Sequence, residues 1–467
     1  MTDYKINKHS FLLKNNSNNR GSKSLFSFAF QYEDLDLRNP LSQLKNNLIQ
    51  YFYTSTPELK IKFLGIDSLI SINENGNERV KDTSVKIREL NLSHKNNFDQ
   101  FNLGSIPLFL GGMKFSPGDK NQLWNDYSDS DWFIPKFLLY HTNGANFVVY
   151  NFYSEIITDA DFNLYDNELK KYLESSPVNY TAPVCEVIKS NYNDPLEKNK
   201  WINNVTSALS QIENKKFHKI VLSRQVDLEL SCTPDFSKIS EQLEKEFPKC
   251  YIFLYRKNSS TFFGASPEKL AKISNGWVEA DALAGSARRG KDIEEDEKLA
   301  EELLSSKKNL NEQRAVVEFI SHSFEGFSEE IIFANQPIIR KLPNIQHLWT
   351  PIKAKLKGNK SILSILKDIH PTPAICGVPW TNALVSIKEM ETHSRGLFAG
   401  MIGWFNFENE GEFAVAIRSA LAKSNKIYAL AGCGIVEGSD PEQEFREAEL
   451  KLKPILSLFK NEEIYKS

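Results

Sequence analysis

Long apolar runs are missing from this chain: no stretch approaches the ~18 residues that a membrane helix needs, and none reads as the hydrophobic segment of a secretory leader. A cytoplasmic protein without membrane spans is therefore expected. Cysteine is scarce. The five present (Cys185, Cys232, Cys250, Cys376 and Cys433) are odd in number and scattered, and they form no C-x-x-C pair. That pattern fits a reducing compartment without a zinc site. A large excess of either charge is also lacking, since the formal net charge is −3. This gives no case for nucleic acid, and an anionic substrate would have to be met by local positive groups. Internal repeats and low-complexity linkers are absent.

What is present is a chain of 467 residues, 41% hydrophobic and 25% charged, long enough to bury a large core as one big domain or two. Alternating strands and several helices give a mixed α and β class. The polar, basic, asparagine-rich start reads as a frayed extension, taken to run over residues 1–25. Too few arginines are present for a transit peptide. Leu173 to Lys200, with Pro177, Pro183 and Pro195, is the best candidate seam between an N-terminal half (26–180) and a C-terminal region (195–460).

The segment from Ala431 to Lys451 joins a glycine-rich turn to a capped helix. Asp440 can cap, Pro441 suits the first helical position and Gln443 completes a capping box, so Glu444 and Glu447 fall on one face. A second helix, Glu294 to Phe324, places Asn309 and Glu312 on one face in the same way. Taken alone, first-turn acids serve the helix dipole and helical glutamates are usually solvated. Oxygen donors on two separate helices are also what a magnesium ion prefers.

In the strand His218 to Leu230, Lys219, Val221 and Ser223 share a face. A lysine there can simply reach water at a sheet end; in a closed pocket, burial would lower its pKa and make it usable as a base. Glu268 follows a Ser-Pro turn, Gly285 and Ser286 form a small-residue turn, and His370 to Ala374 form a stiff proline loop. Arg418 interrupts the second strand of an expected hairpin, where a carboxylate partner would be the usual solution.

In order along the chain, KIVLSR, FFGASPEKL, ALAGSARRG, LLSSKKNLNEQ, IQHLW, HPTPAICG, GLFAGMIGW, FAVAIRSA and AGCGIVEGSDPEQEFREAELK resemble the chorismate-utilising enzymes. The resemblance is strong from Trp201 to Leu456. It is fainter in IPLFLGGMKFSP and WFIPKFLL of the first half. It implies an α+β fold like that of anthranilate synthase component I, with two packed antiparallel sheets flanked by helices and the site in a cleft of the second half.

It also implies roles. Lys219 would be the base that activates water and Glu268 the acid that protonates the departing C4 hydroxyl. Glu312 and Glu447 would hold Mg²⁺, with Glu444 (through water) and Asn309 supporting its waters or ligands. Gly285, Ser286 and Gly432 would meet substrate carboxylates, Arg418 and Lys451 would pair with the enolpyruvyl carboxylate, and His347, Ala374 and Phe398 would lie near the ring. For His347 a purely structural place is a close second reading.

Three positions depart from the family pattern: Asn309 stands where an acid is common, Gln313 where a histidine is usual and Phe398 where several relatives carry a tyrosine. The lysine at 219, with Ala284 in place of a nucleophilic lysine, points to attack by water at C2 and hence to isochorismate formation. Ala374, a small residue, points to stopping there. The alternatives are a salicylate synthase, which goes on to eliminate pyruvate, and a non-catalytic or partner-dependent chorismate-binding relative. No obligate glutaminase subunit is implied and a monomer is expected. Use of the product for menaquinone, a catecholate siderophore or salicylate stays open.

Overall fold

The computed structural model describes residues 2–16, 23–44, 49–90, 93–103, 106–118, 121–142, 144–173, 185–358 and 360–459. Its organising element is the strand Ser130–Thr142, whose run WFIPKFLL is buried almost throughout. Such a strand must be covered on both faces. It pairs along its length with Ile61–Glu74, while its start pairs with Phe109–Met113 and its end with Ala145–Ser154. Two sheets part company at this strand.

One sheet runs from Ala145–Ser154 through Ser130–Thr142, Ile61–Glu74, Tyr51–Thr56, Tyr251–Lys257, Ser260–Ser266, Ser419–Lys423 and Lys426–Val436 to Lys219–Leu230. The other runs from Phe109–Met113 through Met401–Phe405, Gly411–Val415, Lys269–Ser274 and Trp277–Arg288 to Ile345–Leu356. All of these pairings are antiparallel, and both sheets draw strands from both halves of the chain. Between them lies an aromatic interior in which Trp132 sits 5.1 Å from Phe405 and 5.9 Å from Phe413, centroid to centroid. Burying each such ring contributes ~1.5–3 kcal/mol. The glycine pair in IPLFLGGMKFSP has a clear cause: a Cβ on Gly111 would lie 2.0 Å from the Asp131 carbonyl oxygen and one on Gly112 2.4 Å from that of Met401.

Four expectations are corrected. Thr2–Asn16 is a helix rather than a frayed extension, because Phe11 is buried and Tyr4 donates to Asp166 Oδ1 at 2.8 Å. The first strand already begins at Ser24. The helical segment Glu294 to Phe324 is two helices, Ile293–Ser305 and Lys307–Glu325, broken where extended Ser306 caps the second. The strand carrying Arg418 does not continue the hairpin. Gly411–Val415 and Ser419–Lys423 belong to different sheets, and Arg418 sits at the crossing with φ +52°. Finally, Cys185 and Cys232 are joined as a disulfide, against the reducing reading, while Cys250, Cys376 and Cys433 are free and buried. Most of the proposed seam, 174–184, lies outside the described residues. Among those described, no helix is long and apolar enough to cross a membrane.

Candidate active site

A cleft enclosing about 700 Å³ of empty space, its open mouth included, lies at the end of the strand Lys219–Leu230. Glu268, Gly285, Ser286, Glu312, His347 and Ala374 line it, together with Phe398, Arg418, Gly432, Glu447 and Lys451. Val221 and Ser223 line it too, so the strand face that carries Lys219 is turned inward. Lys219 is 3% exposed, and its Nζ donates to Glu312 Oε1 at 2.7 Å. The two side chains reach each other across Gly434, where a Cβ would lie 2.7 Å from Glu312 Oε1 and 2.7 Å from Lys219 Cε. That glycine was not singled out from sequence, although the alternation G-C-G in a strand is a signal of close approach.

Glu268 sits between the strands Ser260–Ser266 and Lys269–Ser274, and its backbone is fixed by hydrogen bonds from its N–H to Ser266 Oγ and from Val415 N–H to its carbonyl. Burial, helped by the negative charge of Asp281, pushes its carboxyl up to about 8 against the pull of Lys219, Lys451 and Arg418. Glu268 is thus protonated near neutral pH. Asp281 was missed in the sequence because its influence comes from the neighbouring strand; its own carboxylate is held by Arg340 Nη1 at 3.0 Å and Trp349 Nε1 at 2.9 Å.

Arg418 does not have the carboxylate partner expected for it among the described residues. Its Nη2 lies 3.1 Å from His347 Nε2. A guanidinium only donates, so Nε2 must accept and the imidazole proton resides on Nδ1, facing Gly285 O at 3.2 Å and Ser286 Oγ at 3.0 Å. Burial, with Arg418 and Lys451, holds His347 well below the usual histidine range, consistent with a neutral ring. Burial also pulls Arg418 down to about 10. A buried cation without a counter-ion at the wall of a cleft suits an anionic ligand.

The other acids each carry a lysine. Glu447 Oε1 is 2.7 Å from Lys451 Nζ, which also donates to Gly432 O at 3.1 Å. Burial works to raise Glu447, but Lys451, Lys308 and a Ser286 hydrogen bond overcome it and hold the carboxylate below its ordinary pKa. Glu444 does not line the cleft; its Oε1 is held by Lys308 Nζ at 3.0 Å. Asn309 is directed elsewhere as well. Its Nδ2 donates to Ser306 Oγ at 2.9 Å, and it packs under Gly285, whose φ of +75° brings the turn against that helix. Gln313, in the place of the usual histidine, is buried and donates to Thr350 Oγ1.

The donor set fits a hard divalent cation. Glu312 and Glu447 offer carboxylate oxygens from two helices to one cleft, and both are held by ammonium groups whose charge a cation would replace. No group of three acidic, histidine or cysteine side chains close enough to cage a metal occurs among the described residues. Magnesium commonly takes only one or two carboxylates and completes its shell with water and substrate.

The antiparallel sheets and a cleft pairing a protonated acid with a buried lysine define an enzyme architecture, and residues 10–460 match the family model of the chorismate binding enzymes, so the chain belongs to that family. Within it the chain is 32% identical to the isochorismate synthase MenF of Bacillus subtilis over 444 residues, 93% of each chain. Its fold matches the menaquinone-specific isochorismate synthase MenF of Escherichia coli with a TM-score of 0.78 at 22% identity, over 98% of this chain and 100% of that one. Anthranilate synthase component I of Streptococcus pneumoniae matches with a TM-score of 0.71 at 21% identity, over 84% and 91%. The fold expectation drawn from the resemblance holds.

Proposed function

We propose that this chain converts chorismate to isochorismate. The observation that carries the reading is buried Lys219, on a strand face turned towards the cleft, close enough for its charge to act on a Glu268 that keeps its proton to about pH 8. The reaction needs both groups. Lys219, as the neutral amine, takes a proton from a water that attacks C2. The ring double bonds shift, and Glu268 gives its proton to the C4 hydroxyl, which leaves as water. One water is consumed and one released.

Arg418, without a carboxylate partner, and Lys451 meet the substrate carboxylates, and His347 fixes the Arg418 guanidinium by accepting from it. Ser286 and the Gly285 turn complete the polar wall. Phe398 and Ala374 supply the apolar side of the ring pocket. Glu312 and Glu447 would hold Mg²⁺, which when bound supplies positive charge at the ring carboxylate. Glu312 also accepts from Lys219 Nζ and so positions that amine. Asn309 and Glu444, which stand off the cleft, act on the helices that carry these acids.

The test is to incubate purified protein with chorismate and Mg²⁺, without ammonia or a partner enzyme, and to resolve products over time by chromatography. Isochorismate alone, lost on chelation, is expected. Salicylate with pyruvate would move the chain to the lyase branch, and unchanged chorismate would overturn the reading.

A further inference from the structure

Next to the cleft carboxylates, though outside its lining, stands a lysine with no part in the chemistry above. Lys308 lies one helical turn before Glu312 on the helix Lys307–Glu325, and Glu444 lies one turn before Glu447 on the helix Pro441–Leu456. Its Nζ bridges the two helices to Glu444 Oε1 at 3.0 Å. The Glu444 side chain is 5% exposed, and besides Lys308 its carboxylate meets the buried Cys433 thiol. The Lys308 side chain is 39% exposed. Lys219 and Lys451 also pair with acids here, but both are committed to the substrate. Burial tends to lower the Lys308 pKa, and Glu444, Glu312 and Glu447 together outweigh it, so all three acids act on this one ammonium.

Resting on the metal assignment of Glu312 and Glu447, we propose that Lys308 is a resident cation. It neutralises the acids while the cleft holds no divalent ion, keeps Glu444 away from the cleft, and by its charge weakens divalent-ion binding. The cleft thus stays assembled when empty and binds its ion reversibly. A cation of charge +2 entering beside a fixed +1 is repelled, and that repulsion is stronger in a partly buried site than in open water.

Lys308 is tested with Mn²⁺ as the probe, its free fraction read by electron paramagnetic resonance in the absence of substrate, with circular dichroism as the control for folding. Lys308→Met should tighten Mn²⁺ binding about fivefold, whereas Lys308→Arg should bind as the native chain does. In a Glu444→Gln background, Lys308→Met should give a smaller gain, because part of its effect is the release of Glu444. If Lys308→Met loses its folded signal, the comparison of Lys308→Gln with Lys308→Arg carries the test. Folded variants with unchanged or weaker Mn²⁺ binding would overturn the role of Lys308. Absence of Mn²⁺ binding to the native chain would instead overturn the metal assignment itself.

Discussion

Two glutamates of one cleft hold opposite protonation states. Glu268 has no cation within hydrogen-bonding distance among the described residues and a negative Asp281 beside it, so burial dominates and its carboxyl stays protonated to about pH 8. Glu447 is drawn below the ordinary range because Lys451 sits at 2.7 Å and Ser286 also bonds it. Burial acts in the same direction on both. Contact with a cation decides the outcome, which is how one cleft keeps a proton donor and an anionic cation site side by side.

The contrast can be broken most severely at the donor end. Glu268→Gln removes the proton and should lower turnover by ~10³-fold, and Lys219→Ala should do the same while chorismate binding stays near normal, as measured by kcat and by equilibrium titration. A wild-type rate in either variant would remove that residue from its role. At the other end, Glu447→Gln should raise the Mg²⁺ concentration needed for half-maximal rate by ~10²-fold. Unchanged metal dependence would detach Glu447 from the ion.

A pH series sharpens the contrast. With Glu268 active as the acid, kcat/KM should fall about tenfold per unit above about pH 8. A flat profile to pH 10 would assign the proton to another donor. The smallest effect is on stability. Folded Glu268 binds its proton more tightly than the unfolded chain, whose carboxyl titrates near 4.5, so its cost is absent below that pH and grows until about 8. Glu268→Gln should therefore raise Tm by a few degrees more at pH 8.5 than at pH 5. Equal shifts at both values would refute the buried-acid account.

Much of this cleft was legible because spacing carries direction. A lysine opening an alternating strand shares a face with Val221 and Ser223, which do line the cleft, whereas of the two acids at i, i+3 after a capped proline only Glu447 lines it. Influences from other elements were not legible. Asp281 acts on Glu268 from a neighbouring strand, Lys308 reaches Glu444 across two helices, and Gly434 matters only because two side chains cross over it. The break at Ser306 was readable, since a serine before a helical run is a capping signal, but a continuous apolar stripe masked it. Phe11 and Tyr4 are two aromatics in a polar stretch, and it is their docking against the first half that holds that stretch as a helix.

The crossing at Arg418 makes the cleft a gauge of how the two sheets are aligned. The residues on either side of it are hydrogen-bonded into different sheets, so a slip of one sheet past the other by a single residue, ~3.3 Å, would carry the guanidinium out of reach of His347. Substitutions deep in the aromatic interior, at Trp132 or Phe413, should then register as lost substrate affinity before they register as lost structure.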